Sequence, residues 1–182
     1  MPNAANVDRP ITIVSYGRSG TSLLSGLLSA HPKADFVGET APMVSLTWLA
    51  AERSIGIVRR NLHHPREVVV PDNESCASAV QGAFLKLFPS DAPFWIQKPI
   101  GIPPTFWLMP ETIEEKARWY WNVFKQSFSQ GKYLTILRDP FEVTISAHNY
   151  WKFLIPIIVD QLAEMATIIT HRDSLIKPSF KG

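Results

Sequence analysis

The segment Gly17-Arg18-Ser19-Gly20-Thr21-Ser22 sets two glycines, one guanidinium and three hydroxyls between the apolar run Ile11–Val14 and the pair Leu23-Leu24. Glycine lets the backbone turn sharply, and a helix start presents N–H groups with no intrahelical partner. With the hydroxyls and Arg18 these make a cradle for an anion. A loop for a metal-bound nucleoside triphosphate needs G-x-x-x-x-G-K-[ST], with lysine on the outer phosphates and a hydroxyl on magnesium. Here the cation precedes the second glycine and no lysine follows it. So short a loop with one cation suits a phosphate carrying one further group. Taken alone, the segment also permits a plain strand-to-helix turn with serine as N-cap.

The elements that must position this loop follow from the apolar pattern. Ile11–Tyr16 reads as a strand bounded by Pro10 and Gly17, and Ser19–Ala30 as a helix with Leu23, Leu24, Leu27 and Leu28 at helical spacing, stopped by Pro32. Ala34–Glu39 reads as a second strand, Met43–His64 as a helix, and the proline-bearing stretch His63–Ser75 as a loop carrying a short extended piece. Glu74–Phe88 is a further helix and Phe94–Gln97 a strand cut by Pro99, while Gly101–Pro110 is too rich in proline for regular structure. In Glu111–Gln130 the positions Ile113, Ala117, Tyr120, Phe124 and Phe128 form one apolar stripe, with Gly131 placed to cap the end. Trp119 and Trp121 cannot both face the core of that helix. Lys132–Leu137 is the last strand. The helix after it opens with Asp139 as N-cap, Pro140 at N1 and Glu142 at N3, as in a capping box.

Strands alternating with helices predict an α/β fold, a parallel sheet flanked by helices on both faces, as one domain over residues 1–182 with a flexible lead of residues 1–10. Ligands of such sheets bind beyond the carboxyl ends of the strands. The first polar residues there are the loop Gly17–Ser22, then Glu39, Lys98 and Arg138. Arg138 and Ser146 are eight residues apart, and Ser146 lies two turns into the helix on the face of its cap. The two could grip a second phosphate. Otherwise Arg138 pairs with Asp139 or Glu142 at the surface, Glu39 is a solvated carboxylate capping the next helix, and Lys98 is a surface cation.

Composition narrows the classes. A chain of 182 residues with 46% hydrophobic content is ordinary for one globular domain, and a net charge of +2 without any Lys/Arg block argues against nucleic acid as a partner. Cys76 is the sole cysteine, so no internal disulfide forms, and no Cys/His cluster has the spacing of a metal site. His63 and His64 are adjacent, which fits a helix end better than a ligand pair. The polar amino terminus has no apolar signal-like run, and no stretch approaches the roughly 18 apolar residues of a membrane span. A cytoplasmic protein is expected.

The string YGRSGTSLLSGLLSAHP, followed about 120 residues later by RDPFEVTIS, resembles the sulfotransferases that use 3'-phosphoadenosine 5'-phosphosulfate (PAPS). The resemblance covers roughly residues 11–150. It implies that Gly17, Arg18, Ser19, Gly20, Thr21 and Ser22 hold the 5'-phosphosulfate, and that Arg138 and Ser146 hold the 3'-phosphate. Within the family, RSGTSLL, AHP and GET look closest to the tyrosylprotein and carbohydrate-type branch. That likeness makes Glu39 the catalytic base, Lys98 in QKP the group supporting the transition state, and Arg18 a further catalytic cation. As a base Glu39 calls for partial burial, which raises a carboxyl pKa. After Ser146 the family continues through another strand and a Gly/Lys-bearing loop over the 3'-phosphate and adenine; no such loop stands in the remaining residues, which leaves a short form and a truncated chain open. Gly101–Pro110, after Lys98, could gate the acceptor.

The reaction implied is transfer of a sulfuryl group to an acceptor hydroxyl with release of 3',5'-adenosine bisphosphate (PAP). The acceptor is open among peptide tyrosine, sugar, lipid and small metabolite, and the oligomeric state is unknown from sequence. The alternatives are an inactive or truncated module that holds PAP or another nucleotide, and a P-loop kinase or NTPase, which the missing lysine and the missing magnesium-holding aspartate disfavour.

Overall fold

The structure, a computed structural model, describes residues 5–54, 56–58, 67–89, 91–98 and 112–176. Its main sheet has four parallel strands: β1 (Ile11–Ile13), β2 (Ala34–Gly38), then two later strands, Phe94–Gln97 and Lys132–Leu134. Between β2 and these lies a hairpin of β3 (Gly56–Val58) with β4 (Glu67–Val69), so the later sheet strands are β5 and β6. The order across the sheet is β2-β5-β1-β6. Helices α1 (Thr21–Ser29), α2 (Ala41–Glu52), α3 (Asn73–Leu87), α4 (Ile113–Ser127), α5 (Pro140–Trp151) and α6 (Ile155–Ile176) flank it. This is the expected α/β architecture. Among the described residues no helix is long and apolar enough to cross a membrane.

The register brings the strand ends to one level. Thr12 stands opposite both Gln97 and Tyr133, while Gln97 also faces Gly38 across a shift in the β2–β5 pairing. A buried polar chain ties these ends: Gln97 Nε2 donates to Thr12 Oγ1 at 2.9 Å, and Thr40 Oγ1 donates to Gln97 Oε1 at 2.7 Å. Each of these groups is fully or almost fully buried, so each needs its partner, and the chain fixes β1 and β5 relative to the start of α2. The loops that leave these strands therefore share one rim.

The core lies under α3 and α4. Phe84 is fully buried and packs on Trp95 at 4.9 Å and edge-on to Phe128 at 5.4 Å between ring centroids. The stripe read on α4 is the one that packs: Ala117, Tyr120, Phe124 and Phe128 are buried and Ile113 leans on the cluster. Trp121 is buried and Trp119 only partly, which is the division that helical spacing demands. Phe84→Ala is expected to cost about 3–5 kcal/mol, read as a lower denaturation midpoint, because a cavity would open among rings that cannot collapse together.

One expectation changes. The helix read over Met43–His64 ends at Glu52, because Gly56 followed by β-branched residues favours extended chain and pairs with β4. His63 and His64, and the stretch Gly101–Pro110, lie outside the described residues. Within the lead, Asn6 Nδ2 donates to the Ala92 carbonyl at 2.7 Å, Trp95 Nε1 donates to the Asn6 carbonyl at 2.9 Å, and Val7 is buried. Finally, α6 was not read from sequence at all. It packs on α4 and α5, and Trp121 Nε1 donates to the Ile168 carbonyl.

Candidate active site

The loop after β1 winds into α1 through Gly20, the N-cap, at φ 96. No side chain caps α1 and its first turn holds no acidic residue. The serine-capped turn that sequence allowed is therefore not what forms, and the positive end of α1 is left for an outside anion. Ser19 and Thr21 are buried beneath the loop, and Ser22 is exposed on it. Before the loop, Ser15 Oγ donates to the Ile136 carbonyl at 2.6 Å, which ties it to the chain leaving β6. Tyr16 OH donates to Gln161 Oε1 on α6 at 2.8 Å, and burial pushes the Tyr16 phenol up, keeping it a donor.

From the β6 side, Arg138 Nη1 donates to the Arg18 carbonyl at 3.1 Å. Arg18 adopts the left-handed backbone, φ 68, and its Nε donates to Ser146 Oγ at 3.2 Å. The structure thus brings Arg138 and Ser146 to the loop, with Arg18 as the link. In the structure Ser146 receives Arg18 rather than Arg138. Arg138 Nε also meets Glu142 Oε2 at 2.9 Å, so the surface pairing coexists with the loop contact. This carboxylate engagement also alters the cap of α5. Asp139 accepts from the backbone N–H groups of Phe141 and Glu142 as read, but Glu142 turns to Arg138. The reciprocal box occurs at α4 instead, between Thr112 and Glu115.

From the other side come Lys98 and Glu39. Lys98 is buried, its side chain only 8% exposed, which rules out the surface cation. Its Nζ lies 3.2 Å from Ser22 Oγ, 3.5 Å from Glu39 Oε1 and 5.8 Å from the Phe36 ring centroid. Lysine is rarely buried unless paired, and here both polar partners face the rim. Glu39 is 64% exposed, contrary to the partial burial expected of it. The cause is local: the register shift at the end of β2 and Gly38 at φ 105 turn the chain outward just before Glu39. Glu39 is not a helix cap, since Thr40 holds the N-cap position of α2.

Along the rim the order is Glu39, Lys98, the loop, then Arg138, following β2-β5-β1-β6. At the usual strand spacing this row spans about 14 Å. Beside it, on the β6 side, an apolar cavity of about 240 Å³ is lined by Tyr16, Ile136, Val143, Leu162 and Met165, with Ser19 and Arg138 also on its wall. Sequence reasoning missed this cavity because one of its walls belongs to α6. It also missed Tyr150, whose ring stacks under the Arg18 guanidinium at 4.3 Å. No motif or spacing marks Tyr150; only the end of α5 meeting the loop reveals it.

The structure thus sets a strand–loop–helix turn at the rim of a parallel α/β sheet, flanked by a buried lysine on one side and an arginine on the other. A model of the sulfotransferase family matches residues 10–173. The chain belongs to the sulfotransferase family, whose members are transferases of sulfuryl groups. A search of curated proteins gives no match.

Proposed function

We propose that the chain transfers a sulfuryl group from PAPS to an acceptor hydroxyl, in the manner of the tyrosylprotein and carbohydrate-type branch. The observation that carries this reading is Lys98: a buried ammonium between Ser22 of the anion loop and the carboxylate of Glu39. The donor set suits the cofactor. An uncapped helix start, three hydroxyls and Arg18 can take a phosphosulfate, while Arg138 and Ser146 stand at the loop's other side for a second phosphate.

When bound, PAPS supplies an activated sulfuryl group attached to a phosphate that departs as PAP. The loop N–H groups, Thr21, Ser22 and Arg18 hold the 5' end. Arg138 binds the 3'-phosphate, and Ser146 Oγ, which accepts from Arg18 here, would donate to it. Glu39, exposed at the rim, can reach an incoming hydroxyl and take its proton. Lys98 is placed to offset charge growing on the departing phosphate oxygen, and its burial strengthens that effect. Along the rim base, cation and cradle follow one another, so a hydroxyl beside Glu39 and a phosphate in the loop would flank Lys98.

The test is thermal unfolding with and without PAP, for the wild type and Arg138→Ala. At a hundredfold excess over Kd the wild type should gain about 2.7 kcal/mol, and the variant should lose most of that gain. Stabilisation by ATP with magnesium, and none by PAP, would overturn the reading in favour of a nucleoside triphosphatase. PAP binding without any PAPS turnover on a panel of phenolic, sugar and lipid hydroxyls would reduce it to a binding module.

A further inference from the structure

We infer that Tyr150 is the positioning residue for Arg18, a shelf that keeps the guanidinium in the donor site after a ligand has taken the Ser146 hydroxyl; this rests on the PAPS reading above. Among the described residues the Arg18 side chain has two supports, Ser146 Oγ at 3.2 Å and the Tyr150 ring at 4.3 Å from its central carbon. Ser146 and Tyr150 lie four residues apart on α5, hence on one face. The first support is the one a 3'-phosphate would claim. Without the second, Arg18, an exposed side chain with four rotatable bonds, would disperse into solvent at the moment its charge is needed.

The shelf is itself braced. Tyr150 packs edge-on to Trp151 at 6.1 Å, and Trp151 packs edge-on to Tyr16 at 6.1 Å, immediately before the anion loop. Phe153 closes on Trp151 at 5.7 Å, after α5 ends in the left-handed Lys152. The aromatic chain therefore starts at the residue before Gly17 and returns to the residue after it. Meanwhile the Arg18 carbonyl is held by Arg138, so backbone and side chain of Arg18 are fixed from two different elements. Tyr150 is 65% exposed and fills no core, so its replacement should leave the fold intact.

Two measurements test this. In the unliganded protein the Arg18 Nε–H resonance should be shifted by the ring, keep its shift in Tyr150→Phe and lose it in Tyr150→Leu. Affinity for PAP and for adenosine 5'-phosphosulfate should weaken about two- to fivefold in Tyr150→Leu, the range of an exposed cation–π contact, with Tyr150→Phe restoring it. An Arg18 resonance indifferent to Tyr150→Leu would overturn the shelf. Normal wild-type affinity that Tyr150→Leu leaves unchanged, or that Tyr150→Phe fails to restore, would overturn the positioning role alone. A ring-shifted Arg18 in a wild type that binds neither nucleotide would overturn the PAPS reading and the positioning role with it.

Discussion

Lys98→Ala should lower kcat about 100- to 1,000-fold, the usual loss when a preorganised charge facing the reacting atoms is removed, while PAP affinity falls much less. The split follows from position. The Lys98 ammonium contacts the exposed Ser22 and Glu39 at the edge of the cradle, whereas the cradle itself is made by the helix start, Arg18 and Arg138. Both partners can resolvate when the lysine goes, so no buried charge is stranded and the fold should hold. Lys98→Arg should not restore the rate, because a planar fork cannot occupy the buried slot of a compact ammonium. Turnover assayed beside PAP titration decides: a kcat unchanged in Lys98→Ala would remove this residue from the chemistry.

Glu39→Gln should lower kcat about 100- to 10,000-fold, the range for loss of a general base, and leave PAP binding within a factor of a few. Its carboxylate touches Lys98 and no other cation of the cradle among the described contacts. The amide keeps size and polarity but cannot accept the acceptor's proton. Turnover by Glu39→Gln equal to that of the wild type would show that the proton leaves by another route. Turnover lost together with PAP binding would show that Glu39 holds the site together instead. The pair Glu39→Gln with Lys98→Ala should also fall short of additivity, since the two side chains meet at 3.5 Å.

How far the sequence could be read depended on what each residue answers to. The strand Phe94–Gln97 was legible to the residue, because prolines on both sides confine the apolar run. The stripe on α4 was legible because one face of a helix is a local property of spacing. The end of α2 was not: Glu52 and the ten residues after it carry no proline, and the chain beyond the helix pairs with a strand whose partner residues lie nine to thirteen positions on. Similarly α6 escaped, since its first turns expose Ile155, Ile157 and Val159 while burying Ile158, leaving no clean apolar face to detect.

The site divided along the same line. Which residue types stand at the strand ends is local, and Arg18, Glu39, Lys98 and Arg138 do stand on one rim. Which atoms meet is not local. That Ser146 would receive Arg18 instead of Arg138, and that Lys98 would be buried, depend on how α5 meets the anion loop and on β5 lying between β2 and β1.

The seating of β1 has a consequence for the life of the chain. Its partners, β5 and β6, join it at Ile11↔Ile96 and Ile11↔Lys132, so β1 must wait for more than a hundred residues to follow before its pairing is complete. Pairing across such separations is slow, since the intervening polypeptide must first give up its freedom. Lys98 reaches the glycine-rich turn with β5, and Arg138 only with β6, so the two cations that flank the turn arrive one after the other. The turn therefore gains its full set of neighbours only late, together with the completed sheet.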